Sequence, residues 1–343
     1  KGTIMGIRDR QRNEIMLSYL KLVLTNKTKG ELAIMQRTLL LAESDGCSVY
    51  QFRNETGDGT MSWYEIFPGA MLSFNDFHMK YFHSEFVPDR RVFVIDHCRE
   101  GRMEYQAAEN AYAYVEAGDM KLDGRKHHTG EFVFPANHYH GLSIAFDLDI
   151  AAEALGEEMK DFPVDLNALQ DKFADGEYPH VISGMERTNR IFEELYRVPE
   201  TIRIPYFKVK IMELLLCLAA MELPDRKEEK PYFYRTQVEK VKAMQRFLTE
   251  HYAERYTQEE LAEKFDISMT GMKNCFRSIY GKSLGTWLTE YRMNLAAELL
   301  RSGQRLSVAE IAGMVGYDSA SKFAMTFRKV MGMSPLEYRG DIR

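Results

Sequence analysis

The stretch YTQEELAEKFDISMTGMKNCFRSIYGKS (256–283) lies over LSVAEIAGMVGYDSASKFAMTFRKVMGMS (306–334), and this overlay decides the fold of the last hundred residues. Thr257 matches Ser307, Glu260 matches Glu310, and Leu261-Ala262 matches Ile311-Ala312, each at an offset of 50. After the turn the offset becomes 51: Phe276 matches Phe327, Gly281 matches Gly332, and Ser283 matches Ser334. One extra residue therefore sits in the second turn. Each copy predicts a capped short helix with Leu/Ile-Ala inward, then a tight turn near a second cap, Ser268 or Asp318. A second helix follows that buries its Phe. That plan is a helix-turn-helix, whose second helix has the size of a DNA major groove.

Working outward, Ser283–Ser302 has helical period through Leu284, Trp287, Leu288, Tyr291, Leu295 and Leu299. Such a rod spans roughly 25–30 Å at about 1.5 Å per residue. It would hold two recognition helices near the spacing of successive major grooves, about 34 Å. Upstream, Thr236 with Glu239 has capping-box spacing, and Val238, Val241, Met244, Phe247 and Leu248 share one face. LPDRKEEKP (223–231) is charged and bounded by prolines, which places a linker at 223–234 before a helical domain at 235–343.

The segment 46–150 reads differently. Short runs of Phe, Tyr, Val and Ile alternate with turn signals at TGDG (56–59), FPG (67–69), VPDRR (87–91), REG (99–101), EAGD (116–119) and LDG (122–124). That rhythm predicts a β-rich sandwich or barrel. Residues 1–45 read as a helical segment with helices at roughly 9–24 and 29–43. Residues 151–222 return to helical period, with Phe207, Ile211, Leu214, Leu215 and Leu218 as a broad apolar stripe. The fold class expected is α+β: a β-rich barrel with flanking helices, followed by an all-α domain.

Charge divides along the same boundary. The chain of 343 residues has a net charge of −6. From Arg235 onward there are 17 Lys+Arg against 13 Asp+Glu, and before it 28 against 38. A basic tail on an acidic body points to phosphate contact by the tail alone. Cys47, Cys98, Cys217 and Cys275 form no CxxC pair, so free thiols in a reducing cytoplasm are expected. No apolar run reaches membrane-spanning length, and KGTIMGIRDRQRNE lacks the apolar core of a signal peptide. No Ser-His-Asp order, Gly-rich phosphate loop or HExxH occurs, and no enzyme activity or cofactor is expected.

From Thr236 to Arg339 the chain resembles the paired helix-turn-helix domain of the AraC/XylS family of bacterial transcription regulators, most densely in EIAGMVGYDSASKFAMTFRKVMGMSPLEYR. HCREGRMEY (97–105), YVEAGDM (114–120) and FPANHYHGLSIAFDLD (134–149) are similar to its PchR-like subgroup. The resemblance implies double-stranded DNA as partner, a cupin-like sensory barrel for a small-molecule effector, and homodimerisation through the helices after the barrel. RNA polymerase is a further partner if the chain activates. PchR kinship also raises iron-linked effectors.

Thr270, Lys273, Asn274 and Arg277 match the family's groove-facing slots in the first copy. Ser321, Lys322 and Met325, with Ala320 before them, do so in the second, where the family often has Gln and Arg at Ala320 and Met325. Asn pairs with adenine and Lys reaches guanine. Arg328 and Lys329 are placed for phosphate. The second copy is thus expected to read fewer bases. For the effector, the aromatic and basic residues Trp63, Tyr64, His78, Tyr81, Arg99, Tyr105, His138 and Tyr139 are the barrel candidates. His138 and His140 lie two apart, but GLSIAF (141–146) lacks the Glu that metal-binding cupins add, and no metal is expected. A cupin-type metal enzyme with an accessory DNA-binding tail, and a constitutive regulator with a structural barrel, are the competing readings.

Overall fold

The computed structural model describes residues 37–340 except 45, 86–87, 127, 177, 223–231 and 303–305. The chain divides into two compact units between Tyr232 and Phe233. That boundary falls inside the stretch read as a linker, most of which lies outside the described residues.

The N-terminal unit is a curled antiparallel sheet backed by helices. Its strands are β1 (Arg37–Ser44), β2 (Cys47–Asn54), β3 (Gly57–Phe67), β4 (Ala70–His78), β5 (Tyr81–Glu85), β6 (Val92–Ala108), β7 (Ala111–Glu116), β8 (Met120–Asp123), β9 (Thr129–Val133), β10 (Tyr139–Asp147) and β11 (His180–Ile182). The main path runs β1-β2-β3-β4-β10-β6-β7. Tight connections set the register: Asn54 pairs with Gly57, and Phe67 with Ala70 across Pro68-Gly69. Gly69 has φ +79, and a Cβ there would lie 2.6 Å from the Ala151 nitrogen, so both backbone and space require glycine.

Two readings are corrected here. The helix expected at 29–43 is strand β1 over its described part, where Thr38 to Leu40 pair with Tyr50 to Phe52. Ladder hydrogen bonds from β2 outweigh the local helical pattern. The helix expected at 9–24 lies outside the described residues. The turn expected at 99–101 is a kink within the long strand β6, with Gly101 at φ +85 against the His138 carbonyl. The kink lets β6 pair with β10 before Gly101 and with β7 after it. The strand-turn-strand of 114–120 is observed, with Gly118 at φ +86 in the turn.

One face of the sheet carries helices α1 (Leu148–Glu158), α2 (Leu166–Phe173), α3 (Glu186–Leu195) and α4 (Arg203–Ala220). Tyr64, Leu72, Ile95, Leu142 and Ile144 point to them and form the main core. The α4 stripe Phe207, Ile211, Leu214, Leu215 and Leu218 is buried in this core, with Phe207 against Tyr64 at 5.3 Å. Each such side chain contributes about 1.5–3 kcal/mol of burial. The stripe is consumed within the unit. What α4 leaves outside is Val209, 61% exposed, and Leu216, 42%. The short strand β11, within the region read as helical, pairs with β8.

The C-terminal unit is helical: α5 (Arg235–Glu250), α6 (Gln258–Lys264), α7 (Met269–Tyr280), α8 (Leu284–Arg301), α9 (Val308–Met314), α10 (Ala320–Met331) and α11 (Pro335–Gly340). Val238, Val241, Met244 and Leu248 of α5 are buried, as their spacing predicts. Thr236 does not cap α5; the helix begins one residue before it, at Arg235.

Candidate nucleic-acid interface and sensor cavity

The two copies share one construction. Thr257 and Glu260 form a reciprocal capping box on α6, with Glu260 N donating to Thr257 Oγ1 at 3.1 Å and Thr257 N to Glu260 Oε2 at 2.7 Å. Ser307 and Glu310 do the same on α9 at 3.2 and 2.7 Å. Both boxes satisfy amides that a helix start would leave unpaired. Leu261-Ala262 and Ile311-Ala312 are buried below them. Both turns then close alike: Ile267 N donates to Ala262 O at 3.0 Å, and Tyr317 N to Ala312 O at 2.9 Å. The residue with positive φ is Asp266 in the first turn and Gly316 in the second.

This correspondence locates the inserted residue. The turns match at an offset of 50 through Ile267 and Tyr317, whereas the next helices are capped by Ser268 and Ser319, 51 apart. The insertion is Asp318. The cap expected there belongs to Ser319, whose Oγ accepts from Lys322 N at 3.3 Å. Asp318 is turned to the surface instead and pairs with Arg255.

Helices α7 and α10 bury Met272, Cys275, Phe276 and Ile279, and Phe323 and Phe327, respectively. Both end on a left-handed glycine, Gly281 at φ 75 and Gly332 at φ 81. Thr270, Lys273, Asn274 and Arg277 are exposed on α7. Ala320, Ser321, Lys322, Met325, Arg328 and Lys329 are exposed on α10. Lys273 and Asn274 form no hydrogen bond or ion pair with the described residues. At the offset of 51 their counterparts are Ala324 and Met325, while Arg277 faces Arg328 in register. The frames coincide and the outward chemistry does not.

Helix α8 ties the copies together by serving two cores. Leu284, Trp287 and Leu288 pack on Met244, Leu261 and Met272. Met293, Ala296, Ala297 and Leu300 pack on Ile311, Phe323 and Phe327. The second group falls about half a turn around the helix from the first, at about 100° per residue. For that reason the single face expected through Leu284, Tyr291 and Leu299 misses the four most buried positions. The loop after α5 locks into the same joint. Arg292 donates to Tyr252 O at 2.6 Å and to Glu254 O at 2.8 Å. Between those carbonyls, Ala253 O lies 2.4 Å from where a Cβ on Gly316 would stand.

The other face of the N-terminal sheet lines a half-open cavity of about 120 Å³. Alternation puts Trp63, Asn75, Asp96, Tyr139 and Ser143 on this side and their neighbours on the helix side. Phe82, Met103, Phe132 and Phe134 complete its lining. Of the eight barrel candidates, Trp63 and Tyr139 line the cavity. Tyr64 points the other way and accepts from Arg203. His78 is exposed beside Asp76, and the Tyr81 hydroxyl donates to Glu55 at the surface. Arg99 sits 4.4 Å over the Tyr196 ring. Tyr105 is buried beside a smaller cavity that Lys121 and Asp123 share. His138 Nδ1 lies 3.1 Å from Ala136 O, and His140 packs edge-on to Tyr196. Since Tyr139 points into the cavity, its two neighbours point away from it.

The polar groups of the cavity wall were not among those candidates. Asp96 receives both Arg125 terminal nitrogens, at 2.8 and 2.7 Å, and Lys121 Nζ at 3.0 Å. Ser143 Oγ donates to it at 2.6 Å, and Asn75 Nδ2 donates to Ser143 Oγ at 3.2 Å. Lys121 and Arg125 also pair with Asp123. Burial alone would raise the Asp96 carboxyl, but Arg125 and Lys121 outweigh it and hold it well below the usual range. Burial, reinforced by Arg125 and Lys121, pushes the nearby His128 well down, so it is neutral. Two signals in the sequence mark this cluster: a lone Asp inside VFVIDHC (92–98), and Lys121 and Asp123 at period two on one strand face with Arg125 two residues further on. Among the described residues no group of three or more His, Cys, Asp or Glu is placed to hold a metal ion. None of their helices is long and apolar enough to cross a membrane.

Two matched, capped helix pairs define the C-terminal unit as a helix-turn-helix domain, and residues 261–341 match the family model of that description. Its relatives are transcription regulators. The virulence regulon transcriptional activator VirF of Yersinia enterocolitica is 31% identical over 96 residues, which cover 28% of this chain and 35% of VirF. An AraC-like transcription regulator of Streptomyces lividans is 36% identical over 87 residues, covering 25% of this chain and 28% of that protein. The match thus spans about a third of the length of these relatives. Among solved structures, the C-terminal domain of AraT, a response regulator from Geobacillus stearothermophilus, is 35% identical. That likeness covers 30% of this chain and 84% of that chain, with a TM-score of 0.29.

Proposed function

We propose that the chain is an AraC-type transcription regulator that binds double-stranded DNA through α7 and α10 and takes a small-molecule effector in the cupin-like barrel. The observation that carries this reading is the pair of like-built helices held by one shared rod, α8, each showing an uncovered polar face. The 18 residues of α8 span about 27 Å at 1.5 Å per residue, near the repeat of the major groove. Asn274 offers a bidentate partner to adenine and Lys273 a donor to guanine. Arg328 and Lys329 supply phosphate contacts, which position without specifying.

Effector control requires that the ligand bind two arrangements of the protein unequally. A second copy would pair through the outer face of α4, where Val209 and Leu216 are exposed. Sedimentation of the full chain tests that pairing: Leu216→Glu turns a dimer into a monomer, and an unchanged distribution removes this seam. For DNA, the test is selection by the full-length chain from a pool of random duplexes. The expected product is one motif with two contacted segments about one helical turn apart. A pool that stays random after selection contradicts the proposal.

A further inference from the structure

The cavity wall specifies the chemistry of its occupant, taking as given the reading that the barrel holds the effector. The direction of the hydrogen-bond chain is fixed at one end. Asp96 is ionised and can only accept. Its four lone-pair directions are filled by Arg125 twice, Lys121 and Ser143. Ser143 has spent its single proton on Asp96, so its oxygen can only accept from Asn75. Asn75 must therefore turn its Nδ2 to Ser143, and a flipped amide would set two acceptors against each other. Its Oδ1 is left without a hydrogen-bond partner, on a residue only 6% exposed. An orphaned buried carbonyl of this kind is unfavourable until a donor meets it.

Charge is settled by the same cluster. Asp96 and Asp123 balance Lys121 and Arg125, and the two forks of Arg125 are already engaged by Asp96. An anionic occupant would meet cations already neutralised by Asp96 and Asp123, and a cationic one would meet no unspent carboxylate. Burying either without a partner is expensive. Size is limited too. At about 120 Å³ the cavity is smaller than the roughly 150 Å³ engineered cavity known to take up benzene. Met61, Met71, Phe77, Phe82 and Phe132 make most of the remaining wall apolar, with Ser73, Ser84, His128 and Tyr139 as its further polar side chains.

We propose that the barrel accepts a compact, uncharged, mainly apolar molecule, of about one ring, that donates a hydrogen bond to Asn75 Oδ1. Phenol and fluorobenzene are near-isosteric probes that separate the donor from the ring, and benzoate, somewhat larger, adds the charge. Calorimetric titration of each into the full-length chain gives the test. Phenol binds, fluorobenzene binds about tenfold more weakly, the worth of one hydrogen bond, and benzoate shows no binding where phenol saturates. Asn75→Leu removes the advantage of phenol and keeps fluorobenzene. Ala145→Phe, which fills the cavity from β10, removes both. Equal affinity of phenol and fluorobenzene for the unaltered chain overturns the donor requirement, and benzoate binding as tightly as phenol overturns neutrality. Binding that survives Ala145→Phe places the molecule elsewhere. If none of the three binds, the reading of the barrel as a ligand site falls first, and this proposal with it.

Discussion

The two helix-turn-helix copies are the same machine with different faces. Their capping boxes, turn hydrogen bonds and left-handed glycine ends correspond residue by residue. Their outward slots do not: Lys273 and Asn274 stand where Ala324 and Met325 stand 51 residues later, and Met325 is 71% exposed. Packing fixed the frame twice, because a short helix pair has few ways to bury Leu/Ile-Ala under a Phe. Nothing in packing constrains the outward residues, so they are where the copies can differ. One asymmetry is structural. The left-handed turn residue is Asp266 in one copy and Gly316 in the other, and only Gly316 is pressed against a neighbouring backbone.

That asymmetry carries the largest expected effect. Gly316→Ala places a methyl 2.4 Å from Ala253 O at a positive φ. Denaturant unfolding of the full chain should show a loss of about 2–4 kcal/mol in the C-terminal unit. The matching change in the first copy, Asp266→Gly, should shift stability by no more than about 1 kcal/mol. Similar effects at the two sites would mean the second turn is not pinned to the first copy. Next in size is Arg292→Met, which leaves the Tyr252 and Glu254 carbonyls without their guanidinium. A loss of about 1–3 kcal/mol follows, together with a larger fall in affinity for a two-segment site than for either segment alone. Equal loss on all three DNAs would separate Arg292 from the alignment of the copies. The smallest effect tests the likeness itself. Thr257→Ala and Ser307→Ala should each cost about 1 kcal/mol and agree within about 0.5 kcal/mol. A clear difference in thermal unfolding would break the equivalence of the frames.

The sequence made the C-terminal unit legible because it says the same thing twice. A repeat with matched caps carries its own control, and the 50-to-51 change of offset even announced the inserted residue. The identity of that residue was not legible. Asp is a good cap, and only the turn hydrogen bonds show that Ser319 takes the role. In the curled sheet, turn signals placed most strands, yet an aromatic or histidine in a strand does not declare its face. Tyr64 and His140 differ from Trp63 and Tyr139 by one residue of register, and one residue moves a side chain from cavity to helix layer. The Asp96–Arg125 cluster was hidden for a related reason. Its members come from strands β6, β8 and β10 and from Arg125 just after β8, and only pairing brings them together.

On the proposed function, the first copy chooses sequence while the second holds the backbone. The most direct measurement compares affinity for a selected duplex and a scrambled one, across salt, for two double variants of the full chain. With Lys273→Ala plus Asn274→Ala, preference for the selected duplex should vanish while salt-sensitive binding to both persists. With Arg328→Ala plus Lys329→Ala, both affinities should fall together and the salt slope should shrink by about 2, with the preference retained. A first variant that keeps its preference, or a second that loses it, contradicts the account.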